Sequence, residues 1–395
     1  MTTRSYPFSE AEQLRMDPTY LQLQETEPVS WVRMPFGGEG WLATGYQEVK
    51  TVLGDPRFSR SATVGKDVPR TSPRIENDSS ILSLDPPDHG RLRKLVAKAF
   101  TARRIELLRE RAQEIVDGAL DAVEDHGPPA DLVALLNMPL PITIICDMLG
   151  VPEDDRVGFQ GWTDVLLGYG AFTAEEIAAA SDKLMAYIAA MVEERRRTPS
   201  DDMLGLLVSA RDGEDRLSEE ELITFGVTLL VAGHETTANM IGNIVYTLFE
   251  KPDLLKSLRE EPDLLPSAVE ELVRYIPLGS VVALPRVAVE DVELGGVTIR
   301  AGESVLVSMM AANRDPSVFA DAGEVDFRRG ANPHIAFGHG VHHCLGAPLA
   351  RMELHVAIGT LFRRFPTLEL AVPVEDVEFK RGRLIRGPRT LPVKW

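Results

Sequence analysis

The sequence predicts a mainly α-helical domain with small β-sheets, and two patterns lead to this prediction. Helical periodicity of apolar residues dominates from about residue 85 to residue 275. Between residues 281 and 310 the pattern changes to valine-rich stretches broken by Gly295-Gly296 and by a glycine at 302, which is typical of short strands joined by turns. Since no repeat or low-complexity linker separates these regions, we expect residues 1–395 to form a single domain.

Three helices are predicted with their approximate ends. After Arg103, apolar residues recur at steps of three and four positions, and Gly127 followed by two prolines ends this helix. Ser218 and Glu221 form a capping-box pattern, and the helical pattern that follows continues to Glu250. At about 1.5 Å per residue, these roughly 30 residues span about 45 Å, enough to cross the domain. A further helix is predicted from about residue 345 to residue 365.

The charge balance argues against several classes of partner. The chain has 42 lysine and arginine residues against 60 acidic residues, a net charge of −18, which disfavours nucleic acid and anionic membrane surfaces. The N-terminal stretch MTTRSYPFSEAE contains no apolar run, so neither a signal peptide nor a membrane anchor is predicted. We therefore expect a cytoplasmic, monomeric protein that acts on a small molecule.

The two cysteines have different surroundings, and no disulfide is expected between them. Cys146 lies in an apolar run, where a free cysteine behaves as a small buried hydrophobe. Cys344 follows a glycine-containing turn and comes just before a predicted helix. The N-terminus of that helix favours a thiolate over a thiol, because it carries positive partial charge and unpaired N–H groups. Glycines also let the backbone approach a flat cofactor closely.

Other roles for Cys344 stay open when only the residue types are considered. They are a buried structural cysteine, a nucleophile, and a zinc ligand together with His339, His342 and His343. The usual spacing of paired zinc ligands is absent. A nucleophilic cysteine would also need an orienting carboxylate, and none is obvious near this segment.

The segment around Cys344 resembles the heme-binding loop of the cytochrome P450 family. Its pattern is F-G-x-G-x-H-x-C-x-G, and every fixed position is matched; the heme-binding positions in it are Phe337, Gly338, His342, Cys344 and Gly346. The resemblance implies a cytochrome P450 fold enclosing heme b, with Cys344 as the metal ligand that gives the iron its axial thiolate. It covers nearly the whole chain, from about residue 29 to about residue 385.

A polar segment, Ala232-Gly233-His234-Glu235-Thr236-Thr237, interrupts the apolar middle of the long helix. Taken alone, Glu235 belongs to a solvated face and Thr236 is a tolerated surface residue, although a mid-helix threonine can turn its hydroxyl to a backbone carbonyl. The segment is similar to the oxygen-activation groove of the family. This implies that Glu235 and Thr236 are catalytic and deliver protons to dioxygen, and that Ala232 and Gly233 line the cofactor.

Two further sets of charged residues match the family in their order along the chain. Glu271 and Arg274 are three positions apart on one helix face, where an exposed pair contributes little stability. The resemblance instead joins them to Arg329 in a structural triad. Heme carries two propionates, which need cationic partners when they are buried. The positions implied for these partners are His89, Arg93, Arg286 and His342.

The implied activity is that of a monooxygenase. The resemblance is closest to soluble bacterial members that tailor macrolides and other polyketides, which insert one oxygen atom from O2 into an apolar substrate by hydroxylation or epoxidation. Terpenoid and steroid substrates, a peroxide-using enzyme and a non-catalytic heme-binding sensor stay open as alternatives, although the intact Glu235-Thr236 pair argues against the last two. The segments that resemble pocket-forming regions are mostly apolar and small; they are 61–83, 166–185, 227–232, 278–284 and 384–385.

One basic stretch stands out in the acidic chain. Residues 91–111 carry eight basic residues against two acidic ones, a net charge of about +6. Charge runs of this kind are commonly solvated helix faces. The resemblance, however, places the stretch beside the cysteine-ligated face of the heme, where electron carriers dock. We therefore expect Lys94, Lys98 and Arg103 to recruit an acidic ferredoxin, which is served in turn by ferredoxin reductase.

Overall fold

Helices make up most of the protein, as the sequence predicts. The computed structural model describes residues 3–73, 75, 80–97, 100–168, 172–211, 217–279 and 284–395. The α-helices within these ranges are α1 (Thr19–Thr26), α2 (Tyr46–Gly54), α3 (Asp88–Ala97), α4 (Ala102–His126), α5 (Pro139–Leu149), α6 (Arg156–Leu166), α7 (Ala174–Arg197), α8 (Met203–Arg211), α9 (Glu219–Glu250), α10 (Pro252–Glu260), α11 (Leu265–Tyr275), α12 (Met309–Ala312) and α13 (Ala347–Arg364). None of these helices combines the length and the apolar character needed to cross a membrane.

The ends of the long helices follow from their capping residues. Ser218 caps α9 in a full capping box, because its hydroxyl accepts from the Glu221 N–H at 3.0 Å and its own N–H donates to the Glu221 carboxylate at 2.7 Å. Helix α4 ends at Gly127, which adopts a positive φ of 72°. Both predicted helices are therefore confirmed. Helix α13 begins slightly later than predicted, at Ala347, since Gly346 serves as its N-cap and a proline occupies its first turn.

Three small sheets accompany the helices within the described ranges. The strands are β1 (Arg4–Ser5), β2 (Val29–Arg33), β3 (Glu39–Ala43), β4 (Phe58–Ser59), β5 (Ala130–Asp131), β6 (Arg286–Ala288), β7 (Val292–Leu294), β8 (Val297–Ile299), β9 (Ser304–Val307), β10 (Glu369–Leu370) and β11 (Pro392–Lys394). The largest sheet has the order β1-β2-β3-β9-β6-β4, a second has the order β10-β11-β5, and β7 pairs with β8.

The strand region predicted between residues 281 and 310 is confirmed by β6 to β9. The turn between β7 and β8 contains Gly295 and Gly296, which have φ values of 56° and 80°, a conformation that favours glycine. Strand β9 then joins β3 in parallel, with Trp41 opposite Val305. The sheet thereby fixes β6, whose first residue is Arg286, against the N-terminal half of the chain.

Helix α9 lies in the main hydrophobic core and packs closely against α5. Its residues from Ala238 to Leu248 are buried without interruption. At Gly233, an added Cβ would lie 2.7 Å from the side chain of Ile145 on α5. A larger residue would therefore push the two helices apart, which gives Gly233 a packing role in addition to the cofactor role implied by the sequence.

Candidate active site

The Cys344 loop is a tight turn closed by its own backbone. The Gly338 N–H donates to the Ile335 carbonyl at 2.9 Å, and the Cys344 N–H donates to the Phe337 carbonyl at 2.8 Å. Gly338 and Gly340 both adopt positive φ values, 76° and 69°, which side chains rarely tolerate. An added Cβ at Gly340 would also lie 2.6 Å from the carbonyl oxygen of Leu53 at the end of α2. The glycines thus allow the loop to lie against α2.

The Cys344 side chain lies at the N-terminus of α13, as predicted. Burial by the surrounding protein raises the pKa of the Cys344 thiol, and hydrogen bonds from the backbone N–H groups of Gly346 and Ala347 oppose this shift. The positive charges of Arg93 and Arg351 act in the same direction as these bonds. The donors that stabilise a thiolate are therefore present, although for the free thiol burial has the larger effect.

The other roles considered for the cysteines are tested by the geometry. Among the described residues, no three histidine, cysteine or acidic side chains lie close enough together to hold a metal ion. Cys146 on α5 is completely buried, and burial raises the pKa of its thiol to about 12. The prediction that Cys146 is a small buried hydrophobe is confirmed.

Glu235 and Thr236 occupy different environments although they are neighbours on α9. Glu235 is only 4% exposed, and its carboxylate accepts from Asn239 Nδ2 at 2.8 Å and forms an ion pair with Lys380 Nζ at 3.2 Å. Thr236 is half-buried, and its hydroxyl donates to the Ala232 carbonyl at 3.1 Å. Glu235 does not belong to a solvated face, so the surface interpretation of this acid is wrong.

The two partners of Glu235 were missed in the sequence. Asn239 stands four positions after Glu235, which is the spacing of neighbours on a helix face, so helical periodicity alone predicts this contact. Lys380 is 145 positions away, and nothing in its local sequence indicates that it meets α9. Only the packing of the C-terminal part of the chain against α9 brings this cation to the buried acid.

His234, beside Glu235, is fully buried and joins α9 to α6. Its Nδ1 lies 2.8 Å from the Leu230 carbonyl, and its Nε2 lies 3.1 Å from the Thr163 hydroxyl on α6. Because a carbonyl only accepts, Nδ1 carries a proton; the single proton of the Thr163 hydroxyl has two acceptors within reach, His234 Nε2 and the Phe159 carbonyl at 3.0 Å. Burial lowers the pKa of His234, which favours the neutral form.

A buried group of basic side chains, which we call the cation group, lies next to the Cys344 loop and consists of His89, His342, Arg286 and Arg60. The rings of His89 and His342 lie 4.3 Å apart between centroids. Arg286 is 6% exposed, and its pKa is lowered to about 10 by burial and by the nearby charge of Arg60. Burial, followed by the charge of Arg286, lowers the pKa of His342 to about 3. Three of the four predicted propionate partners, His89, Arg286 and His342, are therefore brought together.

Arg93 lies at the edge of this cation group. Its Nη2 donates to the His343 carbonyl at 2.7 Å, and its charge contributes to lowering the pKa of His89, after the larger effect of burial. Arg60 was not predicted, yet it is 1% exposed and lies within the same group. Its position after the short strand β4 carries no sequence signal for a role at the site.

The cation group fits a dianionic group such as the two propionates of heme. The His342 Nε2 is buried and has no hydrogen-bond partner among the described residues. A buried polar atom without a partner is uncommon, and the buried guanidinium of Arg286, which donates to the Phe58 carbonyl at 3.3 Å, adds a positive charge that a bound anion would balance. The two propionate carboxylates would supply the negative charge and an acceptor for His342 Nε2.

The predicted structural triad is formed and buried. Arg274 Nη2 and Nε donate to the two Glu271 carboxylate oxygens at 2.7 and 2.8 Å, and Arg329 Nε lies 3.1 Å from both oxygens. The side chains of Glu271 and Arg274 are 1% and 0% exposed. The expectation for an exposed helix pair therefore does not apply. Arg274 also donates to the carbonyls of Asn313 and Ala322, so the triad ties α11 to the segment that leads to the Cys344 loop.

Comparison with known proteins identifies the family. The model of the cytochrome P450 family matches residues 165–394. The chain is 50% identical over 392 residues to the mycinamicin IV hydroxylase/epoxidase of Micromonospora griseorubida, covering 99% of this chain and 98% of that protein. It is also 50% identical over 394 residues to the nocardicin C N-oxygenase of Nocardia uniformis subsp. tsuyamanensis, covering 100% and 99%.

A solved structure gives the same result for the fold. The crystal structure of the LnmA cytochrome P450 hydroxylase from the leinamycin biosynthetic pathway of Streptomyces atroolivaceus S-140 is 53% identical, with a TM-score of 0.92 over 100% of both chains. The match extends from the N-terminal sheet to the C-terminal strands, so it covers the Cys344 loop, the acid and alcohol on α9 and the cation group together. This chain therefore belongs to the cytochrome P450 family and is a heme-thiolate monooxygenase.

Proposed function

We propose that Cys344 is the axial ligand of heme b and that the enzyme inserts one oxygen atom from O2 into a bulky apolar secondary metabolite. The observation that carries this assignment is the position of Cys344 directly before the N-terminus of α13, in a loop closed by the bond from the Cys344 N–H to the Phe337 carbonyl at 2.8 Å. The positive end of a helix favours a thiolate at this position. The other loop positions implied to contact heme are Phe337, Gly338 and His342, with Ala232 and Gly233 on α9.

The cation group gives the proposed heme site its charge. His89, Arg93, Arg286 and His342 would hold the two propionates, and Arg60 adds a further buried positive charge. Charge-assisted hydrogen bonds from such cations are roughly twice as strong as neutral ones. The group would thereby hold the cofactor in one orientation and balance the negative charge of its propionates.

Glu235 and Thr236 are proposed to move protons during oxygen cleavage. Bound heme supplies the activation of dioxygen, and thiolate donation favours breaking the O–O bond. Thr236 is half exposed beside the buried Glu235, so its hydroxyl can leave the Ala232 carbonyl and relay a proton. Lys380 and Asn239 hold the Glu235 carboxylate in one position for this step.

The substrate is proposed to be a macrolide or another polyketide, with a terpenoid or a steroid as the alternative. The segments implied to form the pocket are apolar and small, which suits a bulky apolar molecule. The two relatives at 50% identity are named for different molecules, mycinamicin IV and nocardicin C. Overall sequence identity therefore does not determine the substrate, which depends on the residues that line the pocket.

A panel of ligands tests this proposal. Macrolides, terpenoids and steroids would be titrated into the enzyme, and the shift of the heme absorption band would be recorded for each. We expect macrolides to produce the shift at the lowest concentration and turnover under 18O2 to place one labelled atom in the product. A shift produced only by a terpenoid or a steroid would replace the substrate class, and a product without label would contradict oxygen insertion.

The basic stretch is proposed to bind an acidic ferredoxin. The enzyme itself is proposed to be a cytoplasmic monomer with a single domain. Arg93 on α3 bonds the His343 carbonyl, so this stretch begins directly beside the Cys344 loop. Lys94 and Arg103 are exposed, whereas Arg109 and Arg111 are engaged in ion pairs with acids of this chain. Lys98, the third predicted docking residue, lies outside the described residues. Opposite charge would speed the encounter with the ferredoxin.

A further inference from the structure

Glu270 on α11 and Arg351 on α13 form an ion pair with two hydrogen bonds beside the Cys344 loop. Arg351 Nε and Nη2 donate to the two Glu270 carboxylate oxygens at 2.5 and 2.8 Å. The Arg351 and Glu270 side chains are 33% and 31% exposed, so the pair is partly shielded from solvent. Two parallel bonds to one carboxylate fix the plane of a guanidinium. Arg351 is therefore held in one orientation by α11.

His334 supplies a third bond to the same carboxylate. The Ala336 N–H donates to His334 Nδ1 at 3.3 Å, so Nδ1 is an acceptor and the ring proton is on Nε2. Nε2 then donates to the Glu270 carboxylate at 2.9 Å. Burial alone would raise the pKa of the Glu270 carboxyl, but its hydrogen bonds with His334 and Arg351 lower this pKa to about 2. Glu270 is therefore ionised at neutral pH and keeps its hold on Arg351.

The guanidinium of Arg351 lies against the Cys344 loop. Its central carbon is 4.4 Å from the centre of the Phe337 ring, which is within the range of a cation–π contact. The carbonyl of Phe337 in turn accepts the Cys344 N–H at 2.8 Å. Burial has the largest effect on the pKa of the Cys344 thiol and raises it, whereas the positive charge of Arg351 acts to lower it. Arg351 thus places a positive charge next to the loop that holds the proposed axial ligand.

We propose that Arg351 is a positioning residue that fixes a positive charge near the Cys344 sulfur and thereby makes the heme iron easier to reduce. Glu270 and His334 are its tether. The inference rests on the proposed function in taking Cys344 as the axial ligand. Reduction adds one electron to the iron, and a nearby cation stabilises the added negative charge. The tether is needed because an arginine without it gains side-chain freedom and hydration by leaving the Phe337 ring.

Potentiometric titration of the heme-loaded, substrate-free enzyme with dithionite tests the charge of Arg351. At an effective dielectric constant of about 20, a unit charge about 10 Å away changes a one-electron equilibrium roughly tenfold, or about 59 mV. Arg351→Gln should therefore move the reduction potential more negative by about this amount. Arg351→Lys keeps the charge and should keep most of the wild-type potential.

The matched control is Arg364→Gln, farther along α13, which removes the same charge from an arginine paired with Asp121 and Glu124. It should keep the wild-type potential. The charge role of Arg351 is overturned if Arg351→Gln shows no shift, if Arg364→Gln shows the same shift, or if Arg351→Lys shifts as far as Arg351→Gln.

Glu270→Ala tests the tether through the sign of the shift. Loss of an acid by itself makes the site more positive and moves the potential upward. If the acid acts by holding Arg351, its loss releases the cation, and the potential should instead move more negative, in the direction of Arg351→Gln. Adding Glu270→Ala to Arg351→Gln should then change the potential little, because there is no cation left to hold. A more positive potential in Glu270→Ala, or a return of the double variant to the wild-type potential, would overturn the tether.

The absorption band of the reduced, carbon-monoxide-bound protein is recorded for every variant. A wild-type enzyme without the band position of a thiolate ligand would contradict the proposed function itself. A thiolate band in every variant together with an unchanged potential in Arg351→Gln would overturn only the role of Arg351. The two failures are therefore distinguished in the same samples.

Discussion

At the scale of single residues, the site depends on polar groups that are held inside the protein by specific partners. The Thr236 hydroxyl donates a hydrogen bond to the Ala232 carbonyl, while Glu235 is held by Asn239 and Lys380. The resemblance to the family identifies the acid and the alcohol, whereas their place in the helix alone indicated a solvated face. Their partners depend on the fold, because Lys380 approaches from a hairpin far away along the chain.

Replacing Thr236 by alanine should uncouple oxygen reduction from product formation. In its proposed role the hydroxyl relays protons only during oxygen cleavage, so heme and substrate binding should stay close to wild type while reducing equivalents are diverted to peroxide. Loss of a positioned proton donor lowers the rate on the order of 10²-fold. Peroxide and product per reducing equivalent are the quantities to measure. Thr247→Ala is the control, since Thr247 makes the same type of bond to the Asn243 carbonyl on α9 and lies outside the segments implied to form the pocket; equal product yield in both variants would remove the proposed role.

At the scale of secondary-structure elements, local signals predict the helix ends well and the contacts between elements poorly. The capping box of Ser218 and the glycine end at Gly127 are read directly from adjacent residues. The pairing of β5 with β11 places Ala130 opposite Val393, and no pattern in the nearby sequence predicts this pairing. The triad is intermediate: the spacing of Glu271 and Arg274 predicts their contact, whereas their burial comes from the segment folded over them.

Glu271→Ala should destabilise the protein strongly. It leaves Arg274 buried without its acid, and removing one partner of a buried ion pair costs about 3–5 kcal/mol. Chemical unfolding of the heme-loaded enzyme measures the change. The control is Glu260→Ala on α10, which removes an ion pair with Lys256 whose side chains are 63% and 71% exposed and should change stability by at most about 1 kcal/mol. Similar losses in the two variants would mean that the triad has no special structural role.

At the scale of the whole molecule, charge and fold support the same functional assignment. Residues 91–111 are basic, whereas the whole chain has a net charge of −18. The bond from Arg93 to the His343 carbonyl brings this basic stretch next to the Cys344 loop. The family pattern predicted the cysteine loop, the helical architecture and the cation positions, because these depend on residues at fixed spacing. The positions of Arg60 and Lys380 depend on long-range packing, so no local pattern indicates their roles. The single domain stays a prediction.

Neutralising the proposed docking residues should weaken the salt dependence of electron transfer. Lys94, Lys98 and Arg103 would be changed to glutamine together, and ferredoxin-dependent reduction would be followed at increasing ionic strength. Salt screens charges over a Debye length of about 8–10 Å, so the wild-type rate should fall as salt rises and the variant should start lower and change less. A variant with Lys256, Arg389 and Lys394 changed to glutamine carries the same net charge and should behave as wild type. The same salt dependence in the docking variant would leave these residues as solubilising surface.

The absorption band of the reduced, carbon-monoxide-bound protein tests the central assignment most directly. Cys344→Ser should keep a folded chain and lose the band position that a thiolate ligand produces, because a serine hydroxyl does not supply the same electron donation to iron. Cys146→Ala, which changes the buried cysteine on α5, should keep the band. If Cys344→Ser shows the same band as the wild-type enzyme, Cys344 is not the axial ligand and the account of the active site is contradicted.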